Sequence, residues 1–288
     1  MIDEVKRVAA FCAGGSGGEH GGNPAGVWTG AVLPAEADMQ RVAAAIGYSE
    51  TVFAAPDGEG AAAGWRVRYF SPESEVPFCG HATIALGAVL ALEHGPGTFA
   101  LRTNHASVSV ESKVESGAIA ASLVSPPASG TPAPRAIVDE ALALFGYTDA
   151  DLDERIAPAL ANGGAGHLIL ALKTRAALAA MRYDLAAGRA LMRREGWATI
   201  ALVHAETPRR FHARNPFASG GVYEDPATGA AAAALAAYLR DSGWPEPAID
   251  IVQGEDMGVP CRLHAQALPG RGSAVRVSGR ARLIGEGA

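Results

Sequence analysis

Short stretches of alternating or β-branched apolar residues recur over positions 5–11, 27–29, 51–54, 65–70, 107–110 and 119–123, and each predicts a strand. Positions 35–46 break that rhythm. Met39, Val42, Ala43 and Ile46 fall on one face behind Pro34, which is the spacing of an amphipathic surface helix. Two further runs, 82–93 and 230–239, are apolar on nearly every side rather than along one stripe, so each predicts a helix enclosed by other structure. The second half also predicts helices over 135–145 and 185–194 and strands over 167–172, 199–204, 211–214, 249–252, 262–264 and 274–278. A last strand over 280–284 is expected to return to the first half.

Positions 125–134 carry four prolines in ten residues, which neither a central strand nor a helix interior tolerates. We place a domain boundary there, with an N-terminal domain of residues 1–124, joined by 280–288, and a C-terminal domain of 125–279. Many strands around one buried helix, present twice, predict an α+β architecture. Repeats of the length found in solenoids and propellers are absent.

Composition narrows the function. At 288 residues, 49% hydrophobic and 19% charged, the chain can bury a core in each of two domains. A net charge of −6 without any Lys/Arg run argues against a nucleic-acid partner. The apolar runs fall short of the roughly 20 residues that cross a bilayer, so no membrane partner is expected. The first residues read as the lead-in to a strand rather than as a secretory signal, and a cytoplasmic protein is expected. Cys12, Cys79 and Cys261 are odd in number and widely spaced, which fits reduced thiols; no pair has metal-ligand spacing, and no metal or cofactor is expected.

The chemistry lies where the two buried helices begin. Phe78-Cys79-Gly80-His81-Ala82-Thr83 opens the first and Glu224-Asp225-Pro226-Ala227-Thr228-Gly229 the second, each a turn of small residues. A helix start has unpaired N–H groups and a partial positive charge, so two such starts facing each other would hold a small carboxylate. His81 would then project from one turn and Asp225 from the other. By itself, His81 could satisfy a local backbone group, and Asp225 could be a helix N-cap. Glu50, before an apolar strand, is either a desolvated proton carrier or a strand-end surface residue. Gly14-Gly15-Ser16-Gly17-Gly18 matches the nucleophile elbow of hydrolases, but more glycine follows where a helix is required, and a loop is expected.

Six pieces then occur in a familiar order: Gly22-Asn23-Pro24-Ala25-Gly26-Val27, Ser49-Glu50-Thr51-Val52-Phe53, Arg68-Tyr69-Phe70-Ser71-Pro72, Phe78 to Thr83, Glu224 to Gly229, and Gln253-Gly254-Glu255-Asp256-Met257-Gly258. In this the chain resembles the phenazine-biosynthesis PhzF-like proteins over nearly its whole length. The resemblance implies a diaminopimelate-epimerase-like fold: two pseudo-symmetric domains, each a curved, mostly antiparallel sheet or barrel around a central helix, with the active site in the cleft between them. It implies a cofactor-independent isomerase in which a glutamate, matching Glu50, moves a proton on a small unsaturated or α-acidic carboxylic acid. His81 and Asp225 match the other catalytic positions. Asn23, Gly80, Thr228, Gly229 and Ala230 match the substrate-binding ones. A homodimer is implied as well.

Two features depart from the family pattern. Ala230 stands where a serine is common, removing a hydroxyl from the substrate's surroundings, and the glycine-rich stretch before Asn23 is long. They motivate an alternative, a binding protein that has kept the fold and lost the chemistry. Two-thiol racemisation, the other mechanism on this fold, is disfavoured, because Cys79 matches the first thiol while Pro226 occupies the place of the second. A hydrolase using Ser16 is the remaining alternative.

Overall fold

Buried positions along the chain are shared out between two helices, each enclosed by its own set of strands. The computed structural model describes residues 2–15, 18–58, 64–105, 107–115 and 118–285. By contact the chain divides into two compact units, residues 1–124 with 278–288, and residues 125–277. The architecture is α+β, as the pattern of elements predicts.

The first unit contains β1 (Lys6–Gly15), β2 (Gly18–His20), β3 (Asn23–Thr29), α1 (Glu36–Ile46), β4 (Thr51–Asp57), β5 (Gly64–Phe70), β6 (Glu75–Val76), α2 (Gly80–His94), β7 (Gly97–Arg102), β8 (Ser107–Glu115) and β9 (Ala118–Val124). Its sheet runs β1, β3, β4, β5, β7, β8, β9, with β3–β4 and β5–β7 parallel and the other pairs antiparallel. Helix α2 packs on β1, β3, β4, β7, β8 and β9, and every residue from His81 to Ala91 is buried. The helix comes so near β8 that a Cβ on Gly87 would meet Val110 Cγ2 at 2.5 Å and Ser112 Oγ at 2.8 Å. The opposite face of the sheet is covered by α1, whose Met39, Val42 and Ala43 join Val5, Trp28, Phe53 and Phe70 in one apolar cluster. Thr51 to Ala55 of β4 are consequently all buried, which explains why that strand reads as a continuous apolar run.

The second unit holds β10 (Ser129–Pro132), α3 (Arg135–Phe145), β11 (Ala159–Asn162), β12 (Gly166–Ala171), α4 (Arg175–Ala179), α5 (Leu185–Glu195), β13 (Thr199–Ala205), β14 (Arg210–Pro216), β15 (Glu224–Asp225), α6 (Gly229–Asp241), β16 (Ala248–Gln253) and β17 (Cys261–Ala267). Its sheet runs β10, β11, β12, β13, β14, β16, β17, with β12–β13 and β14–β16 parallel. Helix α6 lies against β10, β11, β12, β16 and β17. On another face Val138, Leu142 and Phe145 of α3, Leu178 of α4, and Leu191 and Met192 of α5 pack with Leu168, Leu170, Ile200 and Leu202.

Three sequence expectations change. The proline-rich segment is not purely a linker, since residues 129–132 pair with β11 and the prolines fall at the strand's end or outside it. The strands expected at 274–278 and 280–284 are one continuous strand, β18 (Val275–Leu283), whose later residues pair with β1. Strand β7 was not legible, because of its six residues only Leu101 is buried. Where β18 meets β1 the register shifts between Ala10 and Cys12. The residue between them, Phe11, is fully buried with φ of 61°, an unusual conformation for an aromatic residue that marks a bulge.

Candidate active site

The opening turn of α2 brings three reactive side chains to one imidazole. Cys79 is the N-cap, in extended conformation, and its Sγ lies 3.2 Å from His81 Nδ1. The other ring nitrogen, Nε2, lies 3.5 Å from Glu50 Oε2 and 3.4 Å from Ser49 Oγ. His81 is buried, and the Glu50 side chain is only 13% exposed. The imidazole thus bridges a thiol and a carboxylate. The first helical bond runs from Thr83 N–H to Cys79 O, 3.0 Å, so the amides of Gly80, His81 and Ala82 precede it and are the orphan donors of the helix start.

The surrounding structure fixes this arrangement. Thr83 Oγ1 donates to Cys79 O at 2.7 Å and is 2.7 Å from Tyr69 Oη. Complete burial pushes the Tyr69 phenol well above its usual range, so it remains a neutral donor and fastens β5 to the helix start. Glu50 is held by its own backbone: its carbonyl accepts from Gly26 N–H at 3.2 Å, and Gly26 pairs with Thr51. A Cβ on Gly26 would meet Thr51 Oγ1 at 2.7 Å, so glycine is needed for β4 to begin this close. The Asn23-Pro24-Ala25-Gly26 piece is the strand that positions Glu50. Asn23 itself is buried at the start of β3, opposite Ala10 and next to the Phe11 bulge.

The second unit builds its helix start differently. Asp225 is not the N-cap; Thr228 is, and its side chain makes no capping bond. The Thr228 hydroxyl donates instead to Asp225 Oδ2 at 2.5 Å, which orients the carboxylate. Gln253 closes the turn from β16: its Nε2 donates to Asp225 O at 2.7 Å and to Thr228 Oγ1 at 3.1 Å, while its Oε1 accepts from Thr228 N–H at 3.3 Å. Gly254 follows with φ of 75°, and a Cβ there would run into Val259 O and Pro226 O. Glu224, one residue before Asp225, forms a buried two-point ion pair with Arg214, 3.0 and 2.5 Å. Burial alone would weaken the guanidinium's hold on its proton, but Glu224 outweighs it and the pKa is raised.

The chain matches the phenazine biosynthesis-like protein family over residues 11–287. It belongs to that family. It is 32% identical to a trans-2,3-dihydro-3-hydroxyanthranilate isomerase of Pseudomonas chlororaphis, across 92% of this chain and 93% of that one. To an uncharacterized isomerase of Deinococcus radiodurans it is 33% identical, across 92% and 89%. Its fold superposes on a PhzF-family phenazine biosynthesis protein of Bacillus anthracis with a TM-score of 0.81 at 21% identity, covering 97% and 96%. The chain is an isomerase of the phenazine biosynthesis-like family.

Within this family member the structure gathers Glu50, Gly80 and His81 in one unit and Asp225, Thr228, Gly229 and Ala230 in the other. His81 does not serve the backbone, since its ring nitrogens meet Ser49, Glu50 and Cys79. Ala230 is half-buried in the first turn of α6. Sequence reasoning assigned no role to Ser49 or Gln253, and with two-thiol racemisation disfavoured it left Cys79 as a small packed residue. Ser49 directly precedes Glu50 and Cys79 stands two residues before His81, and that proximity was the available signal. Gln253 lies in a recognised motif, but only folding shows its amide closing the Asp225 turn. Ser16 lies outside the described residues. Among the described residues, no helix is long and apolar enough to cross a membrane.

Proposed function

We propose that this isomerase moves a proton on a small unsaturated or α-acidic carboxylic acid without a cofactor, with Glu50 as the general acid and base. The observation that carries the reading is Glu50 itself: a carboxylate 13% exposed, 3.5 Å from a buried imidazole, at the amino end of a buried helix. The acid's carboxylate would sit on the first-turn amides at Gly80, where the helix end favours an anion by up to about 2 kcal/mol when partly buried. Glu50 then takes a proton from one carbon and returns it to another. His81 orients Glu50 and stabilises charge that develops as the proton leaves. Positioned acid–base catalysis supplies about 10²- to 10⁴-fold, and the anion-binding amides supply further stabilisation.

The relative from Pseudomonas chlororaphis names a first substrate to try, trans-2,3-dihydro-3-hydroxyanthranilate, an unsaturated ring acid of the proposed class. Ala230 argues for a panel around it, because the serine common at that place would offer a hydroxyl that alanine lacks. The start of α6 repeats the anion-binding device with the amides of Gly229 and Ala230, which precede the first helical bond from Ala232 N–H to Thr228 O. The Thr228 amide is held by Gln253, and Thr228 contributes by orienting the Asp225 carboxylate beside them. Glu50→Gln keeps the size of the side chain and removes the base. Turnover of the best acid in the panel should fall by about 10³-fold or more, with its affinity by calorimetry little changed. Unaltered turnover contradicts the assignment, and binding without turnover by the wild-type chain would favour the binding-protein alternative.

A further inference from the structure

Among the described residues, Glu50, Cys79 and His81 form a group whose ligand atoms, one from each, all lie within 4.8 Å of one another. We propose that this group is a binding site for a soft divalent cation, Zn²⁺ or Co²⁺, and that an ion bound there switches the enzyme off. The proposal rests on the reading of Glu50 as the base, since an ion held by its carboxylate would occupy the group that moves the proton.

Thiolate, imidazole and carboxylate are each zinc ligands, and three protein ligands with a fourth position open are the pattern of its unsaturated sites. The Cys79 Sγ to His81 Nδ1 separation is 3.2 Å. With Zn–S near 2.3 Å and Zn–N of 2.0–2.1 Å, the edge of a tetrahedron is about 3.5 Å, so the separation of this pair is already close to one edge and an ion needs a turn of the side chains rather than a movement of the backbone. The ion uses one nitrogen of His81. Glu50 is the longest of the three side chains and the most exposed, so it can swing to the third position and leave the fourth to water or to a ligand carboxylate. The positive end of α2 opposes a cation with roughly half a unit charge, and the two anionic donors outweigh it. Binding needs no oxidant: the Cys79 S–H bond breaks, sulfur donates its pair to the metal, and the proton leaves to solvent.

The test is an anaerobic titration of the reduced, substrate-free protein with Co²⁺, read by the thiolate-to-cobalt charge-transfer absorption in the near ultraviolet. The band should saturate at one equivalent, vanish on addition of Zn²⁺, and be absent in Cys79→Ser. Cys12→Ser, in β1, should leave it intact. Glu50→Gln should weaken cobalt binding about tenfold or more, and this variant decides the matter if Cys79→Ser does not fold. No band, an unchanged band in Cys79→Ser, or unchanged affinity in Glu50→Gln overturns the proposal. With an active acid in hand, Zn²⁺ should inhibit reversibly by chelator in the wild type and far less in Cys79→Ser; equal inhibition in both contradicts it. The two readings fail separately. Normal turnover by Glu50→Gln removes the base and leaves the optical result standing, whereas a missing cobalt band removes only the metal site.

Discussion

His81 shows how much one residue's meaning depends on its partners. Read in sequence it is a histidine in a turn; folded, it joins a thiol and a carboxylate through its two ring nitrogens. Asp225 changes in a different way, because the N-cap position belongs to Thr228, whose hydroxyl is spent on Asp225 rather than on the helix. Thr228→Val keeps the shape and removes that hydroxyl. If the turn takes part in turnover, kcat should drop about tenfold, the scale of one hydrogen bond to a charged group, with little change in melting temperature; an unchanged kcat separates the turn from the chemistry. A second residue-scale prediction concerns His167. It is fully buried with Nδ1 2.8 Å from Thr199 Oγ1, and desolvation pushes its pKa down from 6.5 to about 4. The neutral form is therefore favoured in the folded state. The resulting stability is present above about pH 6.5 and is lost as pH falls towards 4, by an amount on the order of 3 kcal/mol. Urea denaturation at pH 7 and pH 4.5 should show a smaller loss for His167→Gln than for the wild type; equal losses would contradict the assignment.

Elements were legible where burial was one-sided or total. The stripe of Met39, Val42 and Ala43 and the unbroken apolar runs of α2 and α6 announced themselves, because helical spacing and complete enclosure both leave a pattern in the chain. Strands β7 and β10 did not: β7 buries one residue in six and β10 none, so neither leaves an apolar rhythm to read. The two strands expected at 274–278 and 280–284 leave Gly279 between them, yet β18 continues through it, since glycine weakens a strand without forbidding it. Among the family pieces, Arg68-Tyr69-Phe70 proves structural. Arg68 pins β6 through Glu75 and α1 through Glu36, Tyr69 anchors the start of α2, and Phe70 joins the cluster under α1. The close approach of α2 to β8 makes a test at this scale. Gly87→Ala should destabilise the protein by about 1–3 kcal/mol, the usual range for overpacking, seen as a lowered urea midpoint. A gain from the better helix propensity of alanine would show that β8 can yield.

For the whole molecule, sequence and structure agree on an α+β chain whose two units each enclose one apolar helix, and its relatives agree with the sequence on an isomerase of the phenazine biosynthesis-like family. The pieces that carried the resemblance were legible because they are short, contiguous segments of strand and turn. The contact of His81 with Glu50 and the closure of the Asp225 turn by Gln253 were not, because they join residues 31 and 28 positions apart. The account's centre is proton movement by Glu50, and deuterium reports it directly. Incubated in D₂O with trans-2,3-dihydro-3-hydroxyanthranilate or the most active acid of the panel, the wild-type chain should place deuterium on carbon, seen by NMR. Glu50→Gln should bind the same acid and place none. Deuterium incorporated by Glu50→Gln at the wild-type rate would contradict the account.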